Sequence, residues 1–300
     1  MVCTRNRGDR LGASLASVLE SMEEARLTTG VRCELVVVDN ASTDTTGAVL
    51  RDLAAGEPRV RVVLAPEPGL SRARNHGVRS ATGAYLLFTD DDIIVPREWV
   101  SRMTAPMRAG LADLVNGGVR LAPDLHRAWM TPALTAAYYA GVPDPPVIGQ
   151  EFAGANMGAT RAVVDGTAFD EMLGTVRYPG ADDILFRAHA VAAGARLHGA
   201  ANATVEHHFD PGRLSPTRLE NQAEGYGRCD AYVFYHWLLV PARAERLKVV
   251  AHRAELLARR VMARGDRYDE RLVRARRELA FHREMVALRK APRRPGAPAR

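Results

Sequence analysis

Short apolar runs alternate with helical patterns through the first hundred residues. Leu11, Leu15, Val18, Leu19 and Met22 recur at three- and four-residue steps and predict one helix face. Residues 35–38 form a continuous apolar run that suits a buried strand. Ser42 to Asp44 then offer side-chain oxygens to cap a helix carrying Val49, Leu50 and Leu53. Residues 60–64 predict the next strand, Gly69 introduces a helix over 70–80, residues 85–89 predict a further strand, and Pro96 suits the first turn of another helix. This alternation predicts β-α-β units and an α/β, Rossmann-like, mostly parallel sheet flanked by helices. In such open sheets ligands sit beyond the carboxyl ends of the strands. Those ends carry residues 4–7, Asp39 and Asn40, residues 67–69, and three consecutive aspartates, Asp90, Asp91 and Asp92.

Later the pattern changes. Residues 120–150 are rich in proline and weakly periodic, which predicts a surface insertion near the rim. Order resumes over 152–157. Residues 182–193 read as a helix closed by Gly194, followed by strand-like pieces at 195–198 and 203–205 and a helix over about 215–237. The tail reads as a helical hairpin. Leu247, Val250, Ala254, Leu257 and Val261 form one stripe, Gly265 and Asp266 interrupt it, and Leu272, Ala275, Leu279 and Val286 continue it. The last ten residues are expected to be disordered. The expected division is a catalytic domain over 1–235, with its two halves meeting at about 118/119, and a helical tail over 236–300.

Composition sharpens this picture at two points. Cys3, Cys33 and Cys229 lie too far apart for metal or redox spacing and suit a reducing compartment. No apolar run follows Met1, and residues 234–240 are too few to span a bilayer, so a soluble cytoplasmic protein is expected. Charge is uneven. Residues 241–300 hold 18 Lys and Arg against 7 Asp and Glu, so of the net +6 the tail carries +11 and the body −5.

Carboxylates at a loading rim suit a hard divalent cation, Mg²⁺ or Mn²⁺, which takes oxygen ligands and shares them with substrate phosphates. The aspartates at 90–92 would equally serve as a solvated turn before a helix N-terminus. Asp39 can accept from a base or ribose, or shape the turn before Ser42. Arg74, one turn into its helix, can fork a phosphate or remain a solvated surface charge.

Four blocks occur in order at suitable distances: Thr4-Arg5-Asn6-Arg7, residues 36–44, Ala73-Arg74-Asn75, and Phe88-Thr89-Asp90-Asp91-Asp92. Together they resemble the family 2 glycosyltransferases of the GT-A fold. The resemblance implies donor binding by Thr4, Arg5, Arg7, Asp39, Arg74, Asp90 and Asp91. It also implies a DxD metal motif with Asp92 as direct ligand and Asp90 near the ribose or donor sugar. Gly154-Ala155-Asn156-Met157 resembles the acceptor-side block, and Phe169-Asp170-Glu171 the segment before the catalytic helix. Asp182-Asp183 stands where the family has a Glu-Asp pair, making Asp183 the general base with Asp182 in the place of glutamate. His207, in Val205-Glu206-His207-His208, matches a histidine that in some members reaches the metal or diphosphate.

The implied reaction is an inverting, metal-dependent transfer from a nucleotide-sugar, UDP before GDP or dTDP, to a glycan, lipid-linked or small-molecule hydroxyl. A nucleotidyltransferase of similar fold is the alternative enzyme, but Thr4 to Arg7 lack its Gly-rich, Lys-containing loop. A non-catalytic nucleotide-sugar-binding scaffold is the alternative outside enzymes. The family begins with a longer apolar strand than Val2 and Cys3 supply. A strand so short is expected to pair poorly unless the natural start lies upstream. For the tail, packing or homodimerisation ranks first and peripheral contact with the inner membrane face second. Nucleic acid ranks last, since no aromatics interleave the arginines.

Overall fold

A computed structural model describes residues 1–139, 141–144, 146, 152–242, 244–262 and 270–294. The chain divides into two compact units, one of Met1–His126, Thr135–Met172 and Asp182–Phe209, the other of Arg127–Leu134, Leu173–Ala181 and Asp210–Arg300. The boundary expected at 235/236 therefore does not match the division, because the helix before it groups with the tail.

Among the described residues the first unit holds eight strands, in the order β3-β2-β1-β4-β7-β6-β8-β5. These are β1 (Val2–Thr4), β2 (Leu35–Asn40), β3 (Val60–Ala65), β4 (Tyr85–Asp90), β5 (Ile93–Ile94), β6 (Leu114–Leu121), β7 (Asn156–Thr160) and β8 (Leu197–His207). β3, β2, β1 and β4 run parallel, as the alternating pattern requires. β7 runs antiparallel to both β4 and β6. Helices α1 (Leu11–Thr29), α2 (Thr46–Gly56), α3 (Leu70–Ser80) and α4 (Trp99–Arg108) make the connections. Helix α1 buries Leu11, Leu15, Val18 and Met22 and ends at Gly30, whose φ of 70° places it in the left-handed region.

Several expectations change. Helix α4 begins at Trp99, and Pro96 lies outside it, accepting from the Trp99 N–H in the preceding turn. Of the residues expected to cap α2, Asp44 does accept from the Thr46 N–H, although Thr45 holds the N-cap position without a side-chain bond, and Ser42 instead accepts from the Asn6 N–H of another loop. The two strand pieces at 195–205 are one strand, β8, whose register shifts opposite Gly117 and Val119. Residues 120–150 are not a plain surface insertion. They contain α5 (Pro132–Tyr138) and bury Leu121, Leu125, Tyr139 and Val142, since the Val119 N–H pairs with the Val142 carbonyl. Ala140, Pro145 and residues 147–150 of that stretch lie outside the described residues.

The short β1 pairs with β2 only from Val37 to Asp39 and with β4 only at Thr89 and Asp90. Below Met1, at the amino ends of the strands, lies a cavity of about 650 Å³ lined by Leu35, Val36, Tyr85, Leu86 and Leu87, among others. The Met1 ammonium is buried against the Leu87 carbonyl, and burial lowers its pKa to about 6.

Short helices α6 (Arg161–Gly166) and α7 (Asp182–Ala192) complete the first unit. Beneath its rim Asn156 is fully buried. It accepts from the Trp99 indole at 2.8 Å and donates to the carbonyls of Gly118 and Ala203 at 2.8 and 2.7 Å. One amide thereby ties β6, β7, β8 and α4.

The second unit packs α8 (Pro216–His236) on α10 (Glu270–Leu288), burying Cys229, Ala231, Tyr232 and Tyr235 with Val273, Leu279, Met285 and Leu288. Helix α9 (Glu245–Met262) also lies on α10, but the expected apolar stripe is inverted: Leu247, Val250 and Leu257 are exposed. On α10 the buried set is shifted to Val273, Ala275 and Leu279, with Leu272 and Val286 half-buried. The predicted break at Gly265 and Asp266, and residues 295–300 of the expected disordered end, fall outside the described residues. No described helix is long and apolar enough to cross a membrane.

Replacing Asn156 by Ala strands three buried partners at once. We expect a loss of about 3 kcal/mol or more, read by urea denaturation.

Candidate active site at the carboxyl ends of the strands

Register explains why the predicted residues meet. Thr4 pairs with Asp39, and Cys3 with Asp90, so the ends of β2, β1 and β4 stand level. Beyond Asp90 the chain turns into β5, where Ile93 pairs with His207 at the end of β8. That pairing delivers the last aspartate to the histidine: His207 Nε2 lies 3.4 Å from Asp92 Oδ1, and the His208 N–H donates to the Asp92 carbonyl at 2.7 Å.

The loops beyond β1 and β2 are cross-linked. Asn6 accepts from the Thr43 N–H at 2.8 Å, and the Arg7 N–H donates to the Thr46 hydroxyl at 2.8 Å. Asp39 uses Oδ1 to accept from the Ser42 N–H at 3.0 Å, so it shapes its own turn. Thr4 donates to Asp91 at 2.7 Å, and Arg7 lies 3.6 Å from both Asp91 and Asp92. Arg5 is exposed. Burial pushes the Asp91 carboxyl up to about 6, with the Thr4 hydrogen bond opposing and Asp92 adding to the rise.

Arg74 is not a surface phosphate ligand. Its side chain is 4% exposed and ion-paired with Asp182, itself 5% exposed, and it reaches Asp90 at 3.3 Å. Its charge is spent within the protein, on two carboxylates. Burial alone would lower the Arg74 pKa, but Asp182 and Asp90 outweigh it, so the net shift is upward and the cation is permanent. Phe169 lies under the guanidinium at 5.6 Å, held in place because Asn75 exchanges two 3.0 Å hydrogen bonds with its backbone. Gly154 is required here, since a Cβ would fall 2.7 Å from Arg74 Nη2.

Asp183 differs from its neighbour. It accepts from the Gly154 N–H at 2.6 Å and the Ile184 N–H at 2.8 Å and has no cation of its own. Burial raises its pKa to about 6, the Asp182 charge raises it further, and Arg74 with the two N–H groups opposes. A carboxylate of that strength is a serviceable base near neutral pH. The preceding Ala181 has φ of 64°, a strained left-handed conformation for a residue with a Cβ.

Asn156 and Met157 do not line the acceptor side. Both are fully buried, Asn156 with its amide satisfied internally and Met157 in the core with Leu86, Phe88 and Leu114. Gly154, from the same block, is the residue that touches Asp183. Sequence reading also missed Tyr139. Its carbonyl hydrogen-bonds His207 Nδ1, and its ring stacks on Phe209 at 5.5 Å. A backbone carbonyl leaves no mark in sequence, although the paired tyrosines 138 and 139 in a proline-rich stretch were a hint.

The donor set fits a divalent cation. His207, oriented through Nδ1, presents Nε2 beside an Asp92 oxygen, the arrangement in which a metal-binding histidine is held. Asp90 is turned to Arg74 and a third exposed, so Asp92 and His207 are the better placed to hold such a cation. Elsewhere among the described residues His252, Glu255 and Glu278 place one donor atom each within 4.8 Å of one another, but Arg259 and Arg274 already engage those carboxylates.

Arg74→Ala would leave Asp182 buried without a counter-ion. We expect a loss of about 3–5 kcal/mol, part of it recovered when Asp182→Asn is added, measured by urea denaturation.

Residues 1–144 match the sequence profile described as glycosyl transferase family 2. The uncharacterized glycosyltransferase EpsJ of Bacillus subtilis is 31% identical over 103 residues, 34% of this chain and 30% of EpsJ. Glycosyltransferase AglE of Haloferax volcanii is 32% identical over 87 residues, 29% of each chain. The match thus spans less than a third of either relative. The mannosyltransferase PcManGT of Pyrobaculum calidifontis, solved with GDP-Man and Mn²⁺, superposes over 97% of this chain and 74% of its own with a TM-score of 0.56 at 18% identity. Residues 1–349 of Staphylococcus aureus TarS, solved with UDP, superpose over 97% and 91% with a TM-score of 0.54 at 16% identity. At such identities the likeness is one of fold, and that fold is GT-A. With its profile match, its relatives and its sheet in agreement, residues 1–144 resemble glycosyl transferase family 2, on a chain with the GT-A fold.

Proposed function

We propose that the chain transfers a sugar from a nucleoside diphosphate sugar to a hydroxyl acceptor by single displacement, with inversion and with Mg²⁺ or Mn²⁺ as cofactor. The observation that supports the reading is the Asp90–Arg74–Asp182 bridge, which joins the end of β4 to the start of α7, where Asp183 follows. Asp39 and the loop from Thr4 to Arg7 hold the nucleotide, with Arg5 and Arg7 as the cations nearest the diphosphate. Asp91 fixes this loop through Thr4, and Asp90 lies near the donor sugar. Asp92 and His207 hold the cation, which when bound neutralises charge on the departing diphosphate.

Asp183 takes the proton of the acceptor hydroxyl as that oxygen attacks the anomeric carbon from the face opposite the leaving group. The proton stays on the carboxyl, the bond to the diphosphate breaks, and the configuration inverts. Arg74 holds Asp182 in place, and the Asp182 charge beside Asp183 helps keep Asp183 basic. A UDP-sugar is the first donor to test, and TarS with UDP and PcManGT with GDP-Man are the fold relatives that suggest the two bases.

Five outcomes are expected. EDTA removes turnover, and Asp92→Ala abolishes Mn²⁺-dependent donor binding in a thermal-shift titration. Asp183→Asn retains donor binding but loses turnover by about 10²-fold or more. The rate of the parent enzyme rises with pH through about 6, where Asp183 ionises, and levels above it. A raised carboxyl pKa also means that the unfolded chain ionises first, so Asp183 makes the fold less stable as pH climbs from about 4 to about 6. Full turnover by both variants would overturn the assignment.

A further inference from the structure

Helix α9 docks the wrong way round for an ordinary amphipathic helix. Its side toward α10 combines half-buried Val249 and Leu256 with charge and histidine: His282 bonds Glu245, and His252 lies 3.5 Å from Glu278, its ring stacked on His282 at 5.1 Å. Leu247, Val250, Ala254 and Leu257 recur at steps of three, four and three residues and share one helix face. That face is turned to solvent. Leu247 is 75% exposed, Val250 65% and Leu257 66%, where a surface helix would be expected to bury its aliphatic residues.

Charge says what covers it. Arg246 and Arg253 run along one edge of the face, both exposed and with no ion-pair partner among the described residues; Lys248 is exposed beyond the other edge. Both carboxylates of the helix are engaged elsewhere, Glu245 by His282 and Lys248 and Glu255 by Arg259 and His252. A second copy apposed through this face would bring an edge of unpaired arginines without an exposed acidic edge to receive it. An anionic bilayer offers both a hydrocarbon boundary for the leucines and negative headgroups for the arginines.

We infer that α9 is a membrane-surface anchor. Its face from Leu247 to Leu257 inserts at the boundary between headgroups and acyl chains of anionic lipid, with Arg246 and Arg253 on the headgroups. This is independent of the sugar chemistry. It would seat a transferase of this family at a surface where lipid-borne acceptors are presented, without a spanning helix.

The test is co-sedimentation of the full chain with vesicles of phosphatidylcholine alone or mixed with phosphatidylglycerol. Binding is expected to the mixed vesicles only and to weaken as salt rises. Val250→Ser with Leu257→Ser is expected to lower vesicle affinity by about tenfold or more. Arg246→Ala with Arg253→Ala should lower it comparably and flatten the salt dependence. Because all four side chains are exposed and outside the site, melting temperature and donor binding should not change. Failure of the parent chain to bind mixed vesicles overturns the inference, as does undiminished binding by the serine variant. A dimer in sedimentation equilibrium that the serine variant dissociates would also overturn it, assigning the face to a second copy.

Discussion

A buried cation governs the arrangement of the site. A guanidinium removed from water is tolerable only where carboxylates and ring faces replace the lost hydration. Arg74 meets that condition with Asp182 and Asp90 at its nitrogens and Phe169 beneath. Its partners come from separate elements, so satisfying one charge fixes the end of β4 against the start of α7. Gly154 completes the arrangement by leaving out the side chain that would collide with the guanidinium. A lysine, with one point charge and no planar fork, could not hold the same two carboxylates in fixed directions.

From that constraint follows the unequal chemistry of two adjacent aspartates. Asp182 spends its charge on Arg74 and becomes structural. Asp183 receives two backbone N–H groups, sits beside its neighbour's negative charge, and is left a weaker acid. Adjacent positions thus hold a counter-ion and a weaker acid. At the other end of the rim the β5–β8 pairing does comparable work, fixing Asp92 against a histidine whose second nitrogen is held by a backbone carbonyl.

The second unit is built on different principles. Its α8–α10 contact combines aromatic and aliphatic burial with ion pairs, including Arg277 with Asp230 at 2.7 Å and Arg276 with Glu220 at 2.7 Å. Within the same unit Tyr178 and Arg177 both donate to the buried carboxylate of Glu284, at 2.6 and 2.8 Å, which holds the segment Leu173–Ala181 on α10. The chain leaves that segment directly into Asp182. Helix α9 joins through charge, histidine and the half-buried Val249 and Leu256, which leaves a second apolar face, Leu247, Val250 and Leu257, exposed.

What the amino-acid order determined by itself was periodic and local. The parallel strands, the helix over 70–80, and the aspartates, Asp39 and Thr4 at one rim were legible, because alternating patterns dictate β-α-β units and these place strand ends together. The four motif blocks identified the family for the same reason: each is short, contiguous and tied to a loop. Contacts across the fold were decided by tertiary structure alone. Arg74 looked solvated because its two carboxylates are 16 and 108 residues away, and Asn156 looked exposed to substrate because its three partners lie on three other segments. For α9, periodicity revealed an apolar face but not its direction. Its orientation depends on which side finds complementary groups on α10, and the side carrying Glu245, His252 and Leu256 found them while Leu247, Val250 and Leu257 did not.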